Sequence, residues 1–355
     1  MLGQPAQFAR RLLHWYTRHR RDLPWRVPLS APPGTLPDPY HVLVSEAMLQ
    51  QTQVATVVPY FLRFIERFPT LWALATAQEQ EVLRLWQGLG YYSRARNLHG
   101  TAKIVTETLQ GKLPSQTDQL LNLPGIGRYT AGAIASLAFD QRAAILDGNV
   151  ARVLCRLDAI QADPRTPAIH QHLWQRAEEI LPHKHIGDFN SSLMELGATV
   201  CTPRNPKCML CPVQKHCQAF ASQLQDAIPS PAPTKPRPLE RRWTFCIHHR
   251  SRWLVEQRPP KGRWANLWQF VTLAADGTGP TAALIRKSIG LRVSDPLPIG
   301  TVTHELTHRR YEFDVYRCAA ASPAASIAPA LTSAGTPRIW IELDRLSDYP
   351  LPRPH

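Results

Sequence analysis

Four cysteines stand close together in the chain with the spacing C-x6-C-x2-C-x5-C. They are Cys201, Cys208, Cys211 and Cys217, and thiolates of this kind bind zinc or iron–sulfur clusters. Zinc sites built from four thiolates usually consist of two C-x2-C pairs, and only one such pair is present. The spacing therefore favours a 4Fe–4S cluster, with a zinc site as the alternative. Seven cysteines without a recognisable export signal also argue against disulfides.

Two carboxylates, Glu46 and Asp147, occupy positions where acid–base chemistry is possible. Glu46 lies in a helical pattern rich in apolar residues, with Gln50 and Gln53 expected on the same face. Burial would raise the pKa of such a carboxyl, which suits a proton donor, whereas a solvated glutamate on an exposed stripe is the alternative. Asp147 follows an apolar run and precedes a helical pattern, so we predict that it caps a helix and stays ionised.

A turn with two glycines, Gly125 and Gly127, precedes a helical pattern over residues 130–139. Without side chains at these positions the backbone N–H groups can approach a phosphate, which the helix dipole also favours. The pattern is typical of a helix-hairpin-helix element, which holds the DNA backbone without reading sequence. An ordinary glycine-containing turn is the alternative.

The charge of the chain is compatible with a nucleic-acid partner. The formal net charge is +14, with 23 Lys and Arg against 17 Asp and Glu in residues 1–227, and 18 against 10 in residues 228–355. Positive charge spread over both parts would neutralise DNA phosphates, although a basic protein without such a partner is the alternative. No apolar run approaches the roughly 18 residues of a membrane-spanning helix, so we expect no membrane association.

The elements that must position these residues fall into two predicted domains. Apolar residues at helical spacing near the N-terminus predict a first helix, although the Arg-rich composition there also resembles a mitochondrial presequence. Prolines make residues 27–39 a loop, and the pattern from Tyr40 to about Phe220 is mostly helical. We therefore predict a mostly α fold, with a helical catalytic domain over residues 1–227.

A proline-rich linker is predicted at residues 228–240, and a smaller α+β domain follows at residues 241–355. In this domain the hydrophobic period changes to that of strands. We predict strands at residues 243–247, 253–257, 267–272 and 311–317, and a short helix at residues 282–289.

Taken together, these segments resemble the endonuclease III superfamily of helix-hairpin-helix DNA glycosylases, and within it the MutY-type adenine DNA glycosylases. The resemblance rests on the hairpin, on Asp147 eighteen residues after Tyr129, and on the four cysteines that follow. It is close over residues 8–225 and loose over residues 240–320. It implies a helix-hairpin-helix glycosylase domain with a 4Fe–4S cluster loop and a Nudix-like C-terminal domain. Other matching segments are residues 23–26, 45–52, 88–98 and 147–153.

The resemblance implies a base-excision repair enzyme that hydrolyses the N-glycosidic bond of adenine mispaired with 8-oxoguanine or guanine in double-stranded DNA. Glu46 would protonate N7 of the extruded adenine, and Asp147 would stabilise the oxocarbenium-like sugar. Tyr129 stands where pyrimidine-excising relatives carry a Schiff-base lysine, so little or no lyase activity is implied. Tyr129 and Asn149 would line the pocket. Residues expected to contact DNA are Arg21, Trp25, Gln51, Tyr91, Gly125, Gly127, Ser191, Thr307 and His308.

We expect the enzyme to act as a monomer in the cytoplasm, at the bacterial nucleoid. Ser191 stands where the family commonly has Gln or Glu, and Leu306-Thr307-His308 stands in place of a Phe-Ser-His loop that meets 8-oxoguanine. The stretch 279–290 contains no glutamate, so the Nudix-like domain is interpreted as a recognition module and not a second hydrolase.

Two other functions are compatible with parts of the sequence. The first is a glycosylase for thymine or an oxidised pyrimidine, and the acid Glu46 argues against it. The second is a non-catalytic iron–sulfur damage sensor, against which the presence of both Glu46 and Asp147 argues.

Overall fold

A computed structural model of the chain describes residues 5–32, 34–230, 236–275, 277, 279–306, 308–320, 332 and 335–352. The helices are α1 (Pro5–His19), α2 (Pro39–Leu49), α3 (Val54–Arg67), α4 (Leu71–Thr76), α5 (Glu79–Leu85), α6 (Ser93–Thr108), α7 (Thr117–Leu120), α8 (Arg128–Phe139), α9 (Gly148–Leu157), α10 (Pro167–Glu179), α11 (Ile186–Thr199), α12 (Gln218–Ala221) and α13 (Ala282–Ile289). The strands are β1 (Leu239–His249), β2 (Arg252–Gln257), β3 (Trp268–Ala274), β4 (Leu297–Glu305), β5 (Arg310–Ala319) and β6 (Arg338–Glu342). Within these described ranges no helix is long and apolar enough to cross a membrane.

The chain forms two compact units. The first comprises Met1–Thr76 with Asn97–Pro233, and the second comprises Ala77–Arg96 with Thr234–His355. The segment before α6 was not expected in the second unit, because a helical pattern does not reveal which core it joins. Side-chain hydrogen bonds hold it there: Asn266 Nδ2 donates to Glu79 at 2.6 Å, and Trp268 Nε1 donates to Gln80 at 3.1 Å.

One hydrophobic cluster of the first unit is built mainly from residues of α1, α9, α10 and α11. The apolar stripe of α1 is buried in it, including Phe8 and Leu12, which confirms the predicted first helix. Helices α9 and α11 approach closely at Gly197, where a Cβ would lie 2.7 Å from the Cβ of Asn149. The small residue thereby keeps the start of α9 against α11.

The second unit is a six-stranded sheet in the order β4-β5-β1-β3-β2-β6, among the described residues. The pair β1–β5 is parallel, and the other neighbouring pairs are antiparallel. Helix α13 has the predicted bounds; Thr281 caps its start, and Ile285 and Ile289 are buried in the core with the sheet. These observations confirm a mostly α chain with a smaller α+β part.

Two strands, β4 and β6, were not predicted. Strand β4 is exposed at nearly every position and contains Pro298 and Gly300, so it has no alternation of apolar and polar residues. The predicted strands at residues 243–247 and 311–317 are longer in the structure, as β1 and β5.

Candidate active site

A cavity of about 1630 Å³ lies within the first unit. Its wall combines Glu46 of α2 with Tyr129 of α8 and with Asp147 at the start of α9. Asn149 and Ser191 also line it, as does the loop around residues 27–37. The two carboxylates singled out from the sequence, about a hundred positions apart in the chain, therefore share one cavity.

Glu46 is buried, with 5% of its surface exposed. Asp38 caps the start of α2, and its carboxylate accepts the N–H of Tyr40 at 2.7 Å. Leu43 and Met48, which flank Glu46 on this helix, are also buried. Burial raises the pKa of Glu46 to about 7, and Asp147 adds to the rise, while a hydrogen bond from Tyr129 and the charge of Arg26 oppose it. The solvated alternative is thus excluded, and this carboxyl keeps its proton to a higher pH than an exposed glutamate does.

The prediction that Gln50 and Gln53 share the helical face of Glu46 is wrong. Helix α2 ends at Leu49, Gln50 is its C-cap, and Gln53 precedes α3. Between them Gln51 has a φ of +57°, which a continuing helix does not allow. Gln50 still reaches the cavity, and its Nε2 lies 3.5 Å from Thr130 Oγ1.

Asp147 caps α9, as predicted. Its Oδ1 accepts the N–H of Val150 at 2.7 Å, and its Oδ2 accepts Nδ2 of Asn149 at 3.0 Å. Arg152 in turn donates to Oδ1 of Asn149 at 3.0 Å. Burial raises the pKa of Asp147, and these hydrogen bonds and the charge of Arg152 only partly oppose the rise, an effect that capping alone did not indicate.

The phenol of Tyr129 interacts with both carboxylates, Glu46 and Asp147. It hydrogen-bonds Glu46, and its hydroxyl lies 3.5 Å from Sδ of Met194. Burial, together with the charges of Glu46 and Asp147, raises the pKa of Tyr129 well above its ordinary value. The phenol is therefore neutral, so it can donate a hydrogen bond to a carboxylate.

The predicted hairpin has the backbone that its glycines suggested. Gly125 has a φ of +73°, and a Cβ there would lie 2.5 Å from the side-chain nitrogen of Asn97. Gly127 is the N-cap of α8, is exposed and has open space beside it. The short helix α7 precedes this turn, so the turn joins two helices and its N–H groups lie at a helix start.

The four clustered cysteines form no disulfide among the described residues, and all four are partly buried. Cys201, Cys208 and Cys217 each contribute to the raised pKa of Cys211, so the four thiols lie near one another. Buried Arg156 donates to Cys201 Sγ at 3.3 Å, a contact suited to thiolate charge.

The other residues expected at DNA divide between the two units. In the first, Gln51 is exposed at the cavity, whereas Trp25 is buried with its ring 5.3 Å from that of Phe61. Tyr91 and His308 are exposed residues of the second unit. Thr307 lies outside the described residues. Arg21, which was also expected to contact DNA, forms an ion pair with Glu195 of α11.

Sequence reasoning missed Glu195 and Arg26 as cavity residues. Glu195 has no exposed side-chain surface and forms ion pairs with Arg21 and Arg26 at 2.6 and 2.8 Å. The signal was a charged residue inside an apolar helical pattern, the same signal that identified Glu46.

Comparison with known proteins gives the family. The chain matches the iron-sulfur binding domain of endonuclease III over residues 201–217, and the HhH-GPD superfamily of base excision DNA repair proteins over residues 44–179. It is 40% identical to the adenine DNA glycosylase of Rattus norvegicus, over 92% of this chain and 74% of that protein. The chain belongs to the adenine DNA glycosylase family. The adenine DNA glycosylase of Buchnera aphidicola subsp. Schizaphis graminum is also 40% identical, over 74% of each chain.

Further matches agree with the two-part fold. Residues 242–355 match the NUDIX domain family. A solved structure of a thermostable thymine-DNA glycosylase is 30% identical with a TM-score of 0.54, and the match covers 61% of this chain and 97% of that one. As an adenine DNA glycosylase the chain is a base-excision repair enzyme that acts on DNA. The predicted 4Fe–4S cluster is confirmed over zinc.

Proposed function

We propose that this enzyme removes adenine paired with 8-oxoguanine or guanine and leaves the sugar–phosphate strand uncut. The observation that carries the proposal is the burial of Glu46 in one cavity with Asp147, and this burial raises the pKa of Glu46 to about 7. Adenine is a poor leaving group until it is protonated, so its excision needs an acid. A thymine glycosylase depends less on an acid at this position.

In the proposed reaction, Glu46 donates its proton to N7 of an adenine extruded into the cavity. The bond between N9 and C1′ breaks, and its electron pair stays on the purine. The carboxylate of Asp147 stabilises the cationic sugar, either electrostatically or as a nucleophile whose bond to C1′ is broken in the next step. Water then adds at C1′ and gives its proton to the carboxylate of Glu46, which restores the acid. Asn149 orients Asp147 through the 3.0 Å hydrogen bond, and neutral Tyr129 donates to Glu46 after proton transfer.

Strand cleavage through a Schiff base requires an amine at the sugar. Tyr129 lines the cavity where the resemblance places a lysine in lyase-active relatives, and its phenol cannot form a Schiff base. We therefore expect hydrolysis alone.

The 4Fe–4S cluster would be held by Cys201, Cys208, Cys211 and Cys217 and would supply structural order without redox turnover. The segment between the first two of these cysteines carries exposed Arg204 and Lys207. Ordered by the cluster, these cations would meet DNA phosphates beside those bound by Gly125 and Gly127.

Recognition of the base opposite adenine would use Gln51 and Tyr91 within the stack, with Thr307 and His308 at the lesion. The second unit would act here as a recognition module. We expect the active form to be a monomer working on chromosomal DNA in the cytoplasm, at the nucleoid if the source is bacterial.

One assay tests this function. The purified protein is incubated with duplexes that carry A opposite 8-oxoguanine, A opposite G, T opposite G, or an oxidised pyrimidine, and each sample is split before alkali treatment. We expect alkali-dependent cleavage at adenine alone, fastest opposite 8-oxoguanine. Release of thymine or an oxidised pyrimidine would support the second glycosylase hypothesis, and no release from any duplex would support the damage sensor.

A further inference from the structure

A third carboxylate, Glu195 of α11, lines the cavity that holds Glu46 and Asp147 and has no part in the reaction described above. Its Oε1 accepts the backbone N–H and Nε of Arg21 at 3.2 and 2.6 Å. Its Oε2 accepts Nη2 of Arg21 at 3.1 Å and Nη2 of Arg26 at 2.8 Å. Among the residues that the structure describes, the hydrogen bonds to this carboxylate come from a segment distant in sequence, just after α1.

The arginines keep Glu195 ionised. Burial alone would raise the pKa of Glu195, but the hydrogen bonds and charges of Arg21 and Arg26 lower it below its ordinary value. Ion pairs to a buried carboxylate are weak evidence for stability, because desolvation offsets much of the attraction. Its place on the cavity wall therefore calls for a functional explanation.

Arg26 links this triad to the acid. Its Nη1 donates to the carbonyl of Arg21 at 3.0 Å, and its guanidinium lies 5.7 Å from the ring centre of Tyr16. Besides burial, three groups shift the pKa of Glu46: Tyr129 of α8, Asp147 at the start of α9, and Arg26. Of these three groups, Arg26 carries the positive charge.

We propose that Glu195 is a positioning residue: it anchors Arg21 and Arg26 on the cavity wall and screens the positive charge of Arg26 from Glu46. The inference rests on the proposed role of Glu46 as the acid. Without this screen the cation would favour the ionised form of Glu46, and less of the enzyme would hold the proton at neutral pH. Arg21, with 38% of its side chain exposed, is at the same time held at the cavity for a phosphate.

The test is the pH profile of single-turnover adenine excision by the full-length protein with its cluster. We expect Glu195→Gln to lower the pH of half-maximal rate by about half a unit to one unit. The rate at pH 8 should then fall about threefold to tenfold, and the rate at pH 5.5 by less than about twofold. Arg26→Gln should move the midpoint upward, and the double variant should return it close to that of the wild type.

Asp158→Asn is the matched control, because it breaks a partly buried ion pair with Arg176 (2.8 Å) that does not line the cavity. Its midpoint should equal that of the wild type. A uniform loss of rate with an unchanged midpoint in Glu195→Gln would reduce Glu195 to a structural residue and overturn the inference. If Glu195→Gln does not fold, an unshifted midpoint in Arg26→Gln overturns it instead. Failure of the wild type to release adenine would contradict the proposed function itself. That result can be told apart from the shifts of the midpoint in the variants.

Discussion

Glu46 can serve as an acid near neutral pH because burial raises its pKa. Desolvation dominates the rise of its pKa from the ordinary 4.5 to about 7, and Asp147 adds a like charge. An unfolded chain loses this proton near pH 4.5, while the folded enzyme keeps it until about pH 7. The folded state therefore loses stability as pH rises through this window.

This linkage predicts how Glu46→Gln changes stability. Between pH 4.5 and pH 8 the wild type should lose about 3 kcal/mol of unfolding free energy relative to the glutamine variant. Thermal or urea unfolding at several pH values measures the difference. The exposed Glu66 provides the control Glu66→Gln, which should track the wild type. A difference independent of pH would mean that Glu46 ionises normally.

Tyr129 allows a second prediction at this scale. Tyr129→Lys should create some strand-cleaving activity, because an amine would then stand in the cavity beside Asp147. Borohydride should trap a covalent adduct with DNA in this variant and little in the wild type. Tyr129→Phe, which has no amine, is the control. Strong trapping in the wild type would identify another amine and refute monofunctional hydrolysis.

Among the helices and strands, those features that depend on residues within a single element can be predicted from the sequence. The stripe of α1, the Asp147 cap and the bounds of α13 all follow from residues within one element. The end of α2 before Gln50 depends on the left-handed backbone at Gln51, and nothing in the residue types of this stretch marks it. Strand β4 lacks a period because it is exposed at nearly every position.

The candidate site shows the same limit. The spacing of the four cysteines predicted a metal centre by itself, whereas Glu46 and Asp147 became candidates for catalysis only through the family resemblance. The Glu195–Arg26 pair joins positions 169 residues apart and could be found only from the fold.

The segment with the four cysteines, residues 201–217, should lose its order when the cluster is lost. Cys211→Ser should lose iron from the expected four per chain, along with the brown colour of anaerobically purified protein. Duplex affinity should fall as the segment carrying Arg204 and Lys207 loses its order. Cys246→Ser, in β1 of the second unit, should keep both iron and affinity. Stoichiometric zinc in the wild type, or full affinity without iron, would contradict this structural role.

For the whole molecule, the question is which unit recognises 8-oxoguanine. Deleting everything after residue 227 is a poor test, because Glu79 and Gln80 would lose their partners in the second unit. Substitutions in the intact chain are cleaner. Thr307→Ala with His308→Ala should reduce the preference for 8-oxoguanine over guanine about tenfold to a hundredfold, since a bidentate pair of hydrogen bonds to a base edge contributes roughly 1–3 kcal/mol of discrimination.

Adenine release at saturating enzyme should survive this double substitution. The control is Thr166→Ala with His172→Ala, two exposed positions at α10 in the first unit. An unchanged preference in the Thr307 and His308 variant would move lesion recognition to other residues, such as Gln51.

In the proposed reaction Glu46 is the acid and Asp147 is the carboxylate that stabilises the sugar. The most direct test of these two roles is single-turnover adenine release from a duplex with A opposite 8-oxoguanine, measured across pH for the wild type, Glu46→Gln and Asp147→Asn. We expect the wild-type rate to fall as pH rises through about 7. Both variants should bind the duplex yet release no measurable adenine. A Glu46→Gln variant that excises adenine at the wild-type rate would contradict the account.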